Sequence, residues 1–265
     1  MFLASFGDGV DIAATMDFQA LVRYEHNGSI FYGNLVRSSD YGHVVERLYG
    51  NLENGLERTN IRDTAVKLPV SAYPIIFTKP PDALAGPYDP ILVHKDAQDQ
   101  LDYEGELCVI IGRDVKNATL SNAMDHVLGY AAGNDVTARN FQLPGASGGQ
   151  YSYCKSFDGF APIGPAIWSP RVVPDPCALR FRTRVNGRVV QETETSDMIW
   201  SVAQVIVHLS RGTTLRKGTV VMMGTPGGVG YARGSFLKHG DVVAVEIDGL
   251  GRIQNEIVFE GHHVE

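Results

Sequence analysis

Residues 102–112 read DYEGELCVIIG. An apolar run of this length between polar residues is a strand, and side chains alternate along a strand. Glu104, Glu106, Cys108 and Ile110 therefore share one face, while Gly105, Leu107, Val109 and Ile111 share the other. Same-face neighbours lie about 6.5–7 Å apart, so two carboxylates start one face of a strand whose remainder is apolar. Two readings fit: an edge strand with a solvated rim, or two ligands of a divalent cation. Buried together without a counter-charge, the pair would repel and lose hydration. A third ligand elsewhere decides between them.

The bulk properties narrow the setting. The chain has 265 residues, 44% of them apolar, with a net charge of −7. That supports a substantial core and argues against nucleic acid as the main partner. No apolar run reaches 18 residues, so no membrane span is expected. The start, MFLASFGDGVDIAATMDF, lacks a basic region and carries Asp8, Asp11 and Asp17, which makes it a poor signal or transit peptide. Cys108, Cys154 and Cys177 form no CxxC pair. Three cysteines without a secretion signal read as reduced thiols, and the expected location is the cytoplasm.

Residues 17–38, DFQALVRYEHNGSIFYGNLVRS, read as two strands around the HNGS turn. DYGHVVERLYG (40–50) reads as a short helix, followed by a polar connection over 51–67. A small N-terminal module is expected over residues 1–68 and a larger domain over 69–265. In the larger part, SNAMDHVLGYAAG (121–133) is predicted helical, with a Ser cap and a terminal Gly. DMIWSVAQVIVHLSRG (197–212) is the strongest helix, capped by Asp197 with an apolar stripe of Ile199, Val202, Ala203, Ile206 and Leu209. TVVMMGTP, DVVAVEIDG and GRIQNEIVFEG read as strands. The expected fold class is mostly β with a few helices (α+β).

About thirty residues beyond the glutamates, GYAAGNDVTARNFQ places Asp135 after a glycine that closes a segment. Alone, such an Asp is an ordinary turn or cap residue. Lys155 lies in CKSFDGFAPIGPAI, between a cysteine and an aromatic-rich apolar run, an unusual setting for a surface lysine. Together with RVNGRVVQETETSDMIWSV and MMGTPGGVG, in this order, these segments resemble the fumarylacetoacetate hydrolase family over roughly residues 69–260. The RYEHNGSIFYGNLV module is similar to the N-terminal part of family members.

The resemblance implies a mixed β-roll of packed sheets, a homodimer, and a divalent cation held by Glu104, Glu106 and Asp135. It matches Lys155 to the lysine of the substrate pocket, Arg139 and Gln142 to residues near the substrate's polar groups, and Thr225 to a threonine beside the bound ligand. The residue chemistry agrees independently. Three carboxylates without His or Cys make a hard oxygen site, suited to Mg²⁺ or Mn²⁺, with Ca²⁺ as a third candidate. Three negative charges exceed a divalent cation's two, so an anionic 2-oxo acid needs added positive charge, which Lys155 and Arg139 supply. Family members cleave a C–C bond beside a carbonyl or move protons there. The expected activity is hydrolysis of an acylpyruvate or other β-dicarbonyl, or decarboxylation of an oxaloacetate-like acid. Keto–enol tautomerisation is the alternative within the same platform.

One departure matters. Many family members carry G-x-N-Y-x-x-H-x-x-E shortly before PxYPxxFxKP, and its His and Glu form a general-base dyad on a lid. Here RTNIRDTAVKLPVSAYPIIFTKPPDALAGP (58–87) runs straight through, with a direct join near Thr64 to Lys67. None of the eight histidines reads as a replacement base. Met16, which opens the family-like MDFQALVRYEHNG, reads as a natural start. Two classes of function therefore compete: a metal-dependent enzyme, favoured by the full set of site residues, and a catalytically impaired metal-binding relative, favoured by the lid departure. GTPGGVG lacks the Lys-Ser/Thr of a phosphate loop and does not read as a nucleotide site.

Overall fold

The structure, a computed structural model, describes residues 21–26, 29–39, 42–51, 55–66 and 73–261. Contacts divide the chain into two units, Met1–Ala72 and Tyr73–Glu265. The first holds β1 (Leu21–His26), β2 (Ser29–Ser39), β3 (Gly42–Asn51) and β4 (Gly55–Val66), an antiparallel sheet in that order. The hairpin expected around HNGS is β1–β2.

The helix expected over 40–50 is instead strand β3, and the polar connection over 51–67 contains strand β4. The misreading has a physical source. Val45 and Leu48 are both buried although they lie three residues apart, a helical spacing. The β3–β4 register shifts between Glu46 and Leu48, where two steps along β3 face four along β4, so the pairing is irregular between the two buried residues. The join expected near Thr64 to Lys67 falls partly on β4; residues 67–72 lie outside the described residues, as do 1–20 with the expected start at Met16.

The second unit begins with short strands β5 (Leu84–Ala85), β6 (Ile91–Val93) and β7 (Leu101–Asp102), then β8 (Gly105–Ile111), β9 (Val127–Asn134) and β10 (Thr137–Ala138). Helix α1 (Pro144–Ser147), β11 (Ala161–Trp168), β12 (Arg180–Val185), β13 (Arg188–Glu194) and α2 (Val202–Ser210) follow. The unit ends with β14 (Val220–Met222), α3 (Gly230–Arg233), β15 (Val242–Ile247) and β16 (Gly251–Phe259). Two mixed five-stranded sheets result, in the orders β14-β8-β9-β11-β5 and β13-β12-β15-β16-β6. Leu107, Val109 and Ile111 of β8 share one core with Phe181, Val245, Ile247 and Ile253 of the other sheet and with Val202, Val205 and Ile206 of α2. The architecture is mostly β with three short helices among the described residues.

Strand β8 is an interior strand, buried along its whole length, which removes the solvated-edge reading of the glutamate pair. Its alternation holds: Cys108 and Ile110 pack in a separate cluster with Ala131, away from the Leu107 face. Gly105, between the two glutamates, sits where the sheets approach closely. A Cβ there would lie 2.2 Å from Thr183 Oγ1 and 2.7 Å from Phe181 Cζ.

Two helix expectations are corrected. Residues 121–133 form a 3₁₀ turn, Ala123–His126, and then β9, which pairs with both β8 and β11. Tertiary pairing overrides the local cap signals, because VLGYAAGN lies in the middle of a sheet. Gly133 explains the glycine there: a Cβ would stand 2.3 Å from Cys108 Sγ and 3.1 Å from Met222 Cε. The second helix starts later than expected. Ser201 caps α2 through a capping box with Gln204, and Asp197 belongs to a separate 3₁₀ turn, Thr195–Asp197. Ile199 consequently lies outside the helix and is exposed, while Val202 and Ile206 are buried as expected.

Gly133→Ala is expected to destabilise the protein by about 1–3 kcal/mol through overpacking. Cys108→Ala in the same chain should recover part of that loss by removing the clashing sulfur. Urea unfolding of the single and double variants checks this; a neutral single variant would contradict the close packing of β8 against β9.

Candidate metal centre

The second unit brings Glu104, Glu106 and Asp135 to one point. The pairing of β8 with β9 sets Gly105 opposite Asn134 and Glu106 opposite Gly133. Glu104 precedes β8 and Asp135 follows β9, so they become neighbours, and the Asp135 amide donates to the Glu104 carbonyl at 2.7 Å. The Asn134 side-chain oxygen accepts from the Glu104 amide at 2.9 Å. From the far side of β8, the chain leaving β14 donates the Gly224 amide to Glu106 Oε2 at 2.7 Å. One oxygen from each carboxylate lies within 4.8 Å of the others, and the three residues are 7%, 3% and 0% exposed.

Three buried like charges need positive charge, and the surroundings supply part of it. Lys155 Nζ donates to Glu104 Oε2 at 2.8 Å and to Asp135 Oδ2 at 2.5 Å. Lys79 Nζ stands 2.7 Å from Asp135 Oδ1, an ion-pair contact outside hydrogen-bond geometry. Arg139 pairs with Glu104 Oε1 through Nη2, donates to Asp102 Oδ2 at 2.8 Å through Nε, and to Gln142 Oε1 at 2.7 Å through Nη1. Arg139 follows β10, whose pairing with β7 sets Thr137 opposite Asp102.

The protonation of the carboxylates follows from these partners. Burial pulls Asp135 upward, but Lys155 and Lys79 outweigh it and hold the carboxyl below its ordinary value. Burial raises Glu104, only partly opposed by Lys155 and Arg139. Glu106 is pushed well above the ordinary carboxylate range by burial and by Asp135 and Glu104, against the weaker pull of Lys155 and the Gly224 amide. Lys155 is raised: burial opposes its charge, but Glu104 and Asp135 more than compensate.

The donor set fits a divalent cation. All three ligands are carboxylate oxygens, which suits a hard ion. Asp135 Oδ1 is buried and accepts no hydrogen bond among the described residues. Glu106 has no cationic hydrogen-bond partner there, although it shares the centre with two other carboxylates. Among the described residues, the side chains bonded or ion-paired to the three carboxylate groups are Lys79, Lys155 and Arg139.

The other expected site residues are placed more loosely. Gln142 is partly buried and touches Arg139. Thr225 lies on the loop after Gly224, where its hydroxyl accepts from Gln191 Nε2 at 2.8 Å. Gln191 also accepts from the Gly105 amide at 3.2 Å and donates to the Pro226 carbonyl at 3.0 Å, so it ties that loop to the glutamate strand. Sequence reading missed Gln191, Lys79 and Asp102. Asp102 is fully buried and accepts from the amides of Tyr103, Gly230 and Tyr231 besides Arg139. The signal was present: Lys79 closes the apolar run YPIIFTK and Asp102 opens DYEGEL, polar residues at the ends of apolar segments.

The sheet architecture and this buried carboxylate centre define a scaffold whose family comparison identifies. The fumarylacetoacetate (FAA) hydrolase C-terminal family matches residues 48–258, and the chain belongs to this family. A mitochondrial oxaloacetate tautomerase of Xenopus laevis is 44% identical over 193 residues, 72% of this chain and 60% of that protein. The chain thus spans less than two thirds of that relative's length. The oxaloacetate tautomerase YisK of Bacillus subtilis is 38% identical over 204 residues, 75% of this chain and 67% of that protein. Among solved structures, the 2-hydroxyhepta-2,4-diene-1,7-dioate isomerase of Mycobacterium marinum superposes with a TM-score of 0.66 at 30% identity, covering 91% of this chain and 99% of that one. No described helix is long and apolar enough to cross a membrane.

Because Glu106 binds its proton more tightly folded than unfolded, metal-free stability should fall as pH rises from the ordinary carboxylate range through the raised value. Glu106→Gln should flatten that decline and melt above the wild type in EDTA at pH 8. Adding Mn²⁺ should then stabilise the wild type and leave the variant nearly unmoved. Differential scanning calorimetry across pH reads both; equal Mn²⁺ stabilisation of the two proteins would exclude Glu106 as a ligand.

Proposed function

We propose that the protein is a metal-dependent enzyme that moves a proton beside the keto group of a short 2-oxo acid, interconverting the enol and keto forms of an oxaloacetate-like dianion. The observation that carries this reading is the set of partners around the carboxylates among the described residues: two lysines, one arginine and a backbone amide, all of them proton or charge donors. Tautomerisation breaks no C–C bond and needs no activated water. One proton leaves the enol oxygen and another is delivered to the adjacent carbon.

A bound Mg²⁺ or Mn²⁺ supplies a Lewis acid for the negative charge that develops on the keto oxygen. Glu104, Glu106 and Asp135 are the residues that hold it. Lys155 holds a proton at Nζ, and its ammonium is the donor toward the substrate carbon. Arg139 presents a guanidinium whose aim is set by Asp102 and Glu104, a geometry suited to a carboxylate. Gln142 steadies the Nη1 edge of that guanidinium. Thr225, held by Gln191, offers a hydroxyl on the loop that also carries Gly224.

The relatives support proton transfer over bond cleavage: two are named oxaloacetate tautomerases, and the superposed structure is named an isomerase. Hydrolysis of an acylpyruvate is the second reading, favoured by the family's own name and by the same carboxylate platform. It asks for a base that activates water, and such help is typically worth about 10²–10⁴-fold.

Decay of enol-oxaloacetate absorbance with purified protein and Mg²⁺ or Mn²⁺ tests the proposal. Expected is metal-dependent acceleration, abolished by Glu106→Ala and reduced about 10²–10⁴-fold by Lys155→Met. Acylpyruvate cleavage run in parallel should be weak. Cleavage faster than tautomerisation would favour the hydrolytic reading. Neither activity above the free ion, from a folded metal-binding protein, would establish a catalytically impaired relative.

A further inference from the structure

The two lysines at the centre contact opposite oxygens of Asp135, and their remaining bonds differ in kind. Lys79 Nζ donates to three backbone carbonyls: Lys155 at 2.7 Å, Phe160 at 2.8 Å and Val136 at 3.3 Å. An ammonium has three N–H groups, so these carbonyls use its full donor capacity. Its charge rests 2.7 Å from Asp135 Oδ1 without a hydrogen bond to that oxygen, whose lone pairs remain available. Lys79 is therefore anchored by groups that do not change when a cation arrives.

Lys155 has the opposite arrangement. Its Nζ hydrogen bonds go to Glu104 Oε2 and Asp135 Oδ2, both of them triad carboxylates. Its other recorded contact is the Phe77 ring, with the centroid 4.7 Å from Nζ. The ammonium bridges two carboxylates in the manner of a cation, and with it in place Lys155 is 1% exposed and the triad is closed to solvent. A divalent cation that binds Glu104 through Oε2 or Asp135 through Oδ2 takes that oxygen from Lys155.

We propose that the two lysines divide the work: Lys155 is a built-in surrogate cation that neutralises the centre until a divalent cation displaces it, and Lys79 is the fixed positioning residue that holds Asp135 for that cation. This rests on the metal-site reading of the triad and goes beyond it. Displacement gives Lys155 two states, clamped between carboxylates without metal and released as an ammonium with it. The face of the Phe77 ring is a ready partner for the released form. Loading of the cation and freeing of the proton donor thereby become one event, and the protein tolerates the metal-free state without three unpaired buried carboxylates.

Isothermal titration of Mn²⁺ into the metal-free full-length protein tests this without any turnover assay. Lys155→Met removes the competitor, and Mn²⁺ affinity should rise by about tenfold or more. Lys155→Gln, which keeps an N–H donor and protects against misfolding, should shift the same way. Lys79→Met should instead weaken Mn²⁺ binding by about 10–100-fold, the usual effect of losing a residue that orients a ligand. Unchanged or weaker binding in both Lys155 variants would overturn the surrogate role, and tighter binding in Lys79→Met would overturn the division of labour. Wild-type protein that binds no Mn²⁺ would overturn this inference and the metal reading together, whereas wild-type binding with the wrong variant order would overturn this inference alone.

Discussion

Three carboxylates share one buried point, and the rest of the second unit is arranged around that electrostatic difficulty. Burial and mutual repulsion raise Glu106 and Glu104, while two lysines hold Asp135 low. Such a cluster persists only where positive charge is supplied within contact distance. Lys79, Lys155 and Arg139 supply it in three ways: a carbonyl-anchored ammonium, a carboxylate-clamped ammonium and a guanidinium fixed by Asp102. The cations leave Glu106 least well compensated, which is the unmet demand that the proposed divalent ion answers.

The fold delivers these groups through strand register. Pairing of β8 with β9 makes Glu104 and Asp135 neighbours, pairing of β7 with β10 sets Arg139 beside Asp102, and pairing of β14 with β8 brings the Gly224 amide to Glu106. Each junction is a strand end, where the chain leaves the ladder and its polar groups turn toward the site. Gly105 permits the approach of the second sheet directly beneath the two glutamates. Gln191 spans from that strand to the Thr225 loop and ties the loop to the carboxylate strand.

Asp102 carries weight of another kind. It is fully buried, it aims Arg139, and it accepts the amides of Gly230 and Tyr231. A single carboxylate thus links the guanidinium to the turn at Gly230–Arg233. In the proposed site for a dianionic substrate, a guanidinium already paired on two sides has a fixed direction and loses little freedom on binding.

The sequence alone determined the strand that carries Glu106, the unusual apolar setting of Lys155 and the mostly β class, while Asp135 was singled out only by the resemblance to a family. Alternation along a strand and the chemistry of residue types are local properties, readable without coordinates. Tertiary structure decided the rest. Residues 121–133 carry helix-like caps yet form an interior strand, because pairing with β8 and β11 outweighs them. Residues 40–50 show a helical spacing of Val45 and Leu48, yet pairing with β2 and β4 makes them a strand. Lys79 and Gln191 lie 25 and 87 residues from Glu104 in the chain, and no spacing rule joins them to it. Their roles come from contacts that exist only once the strands are in register, since hydrogen bonds and ion pairs act over a few ångströms and sequence distance carries no information about them.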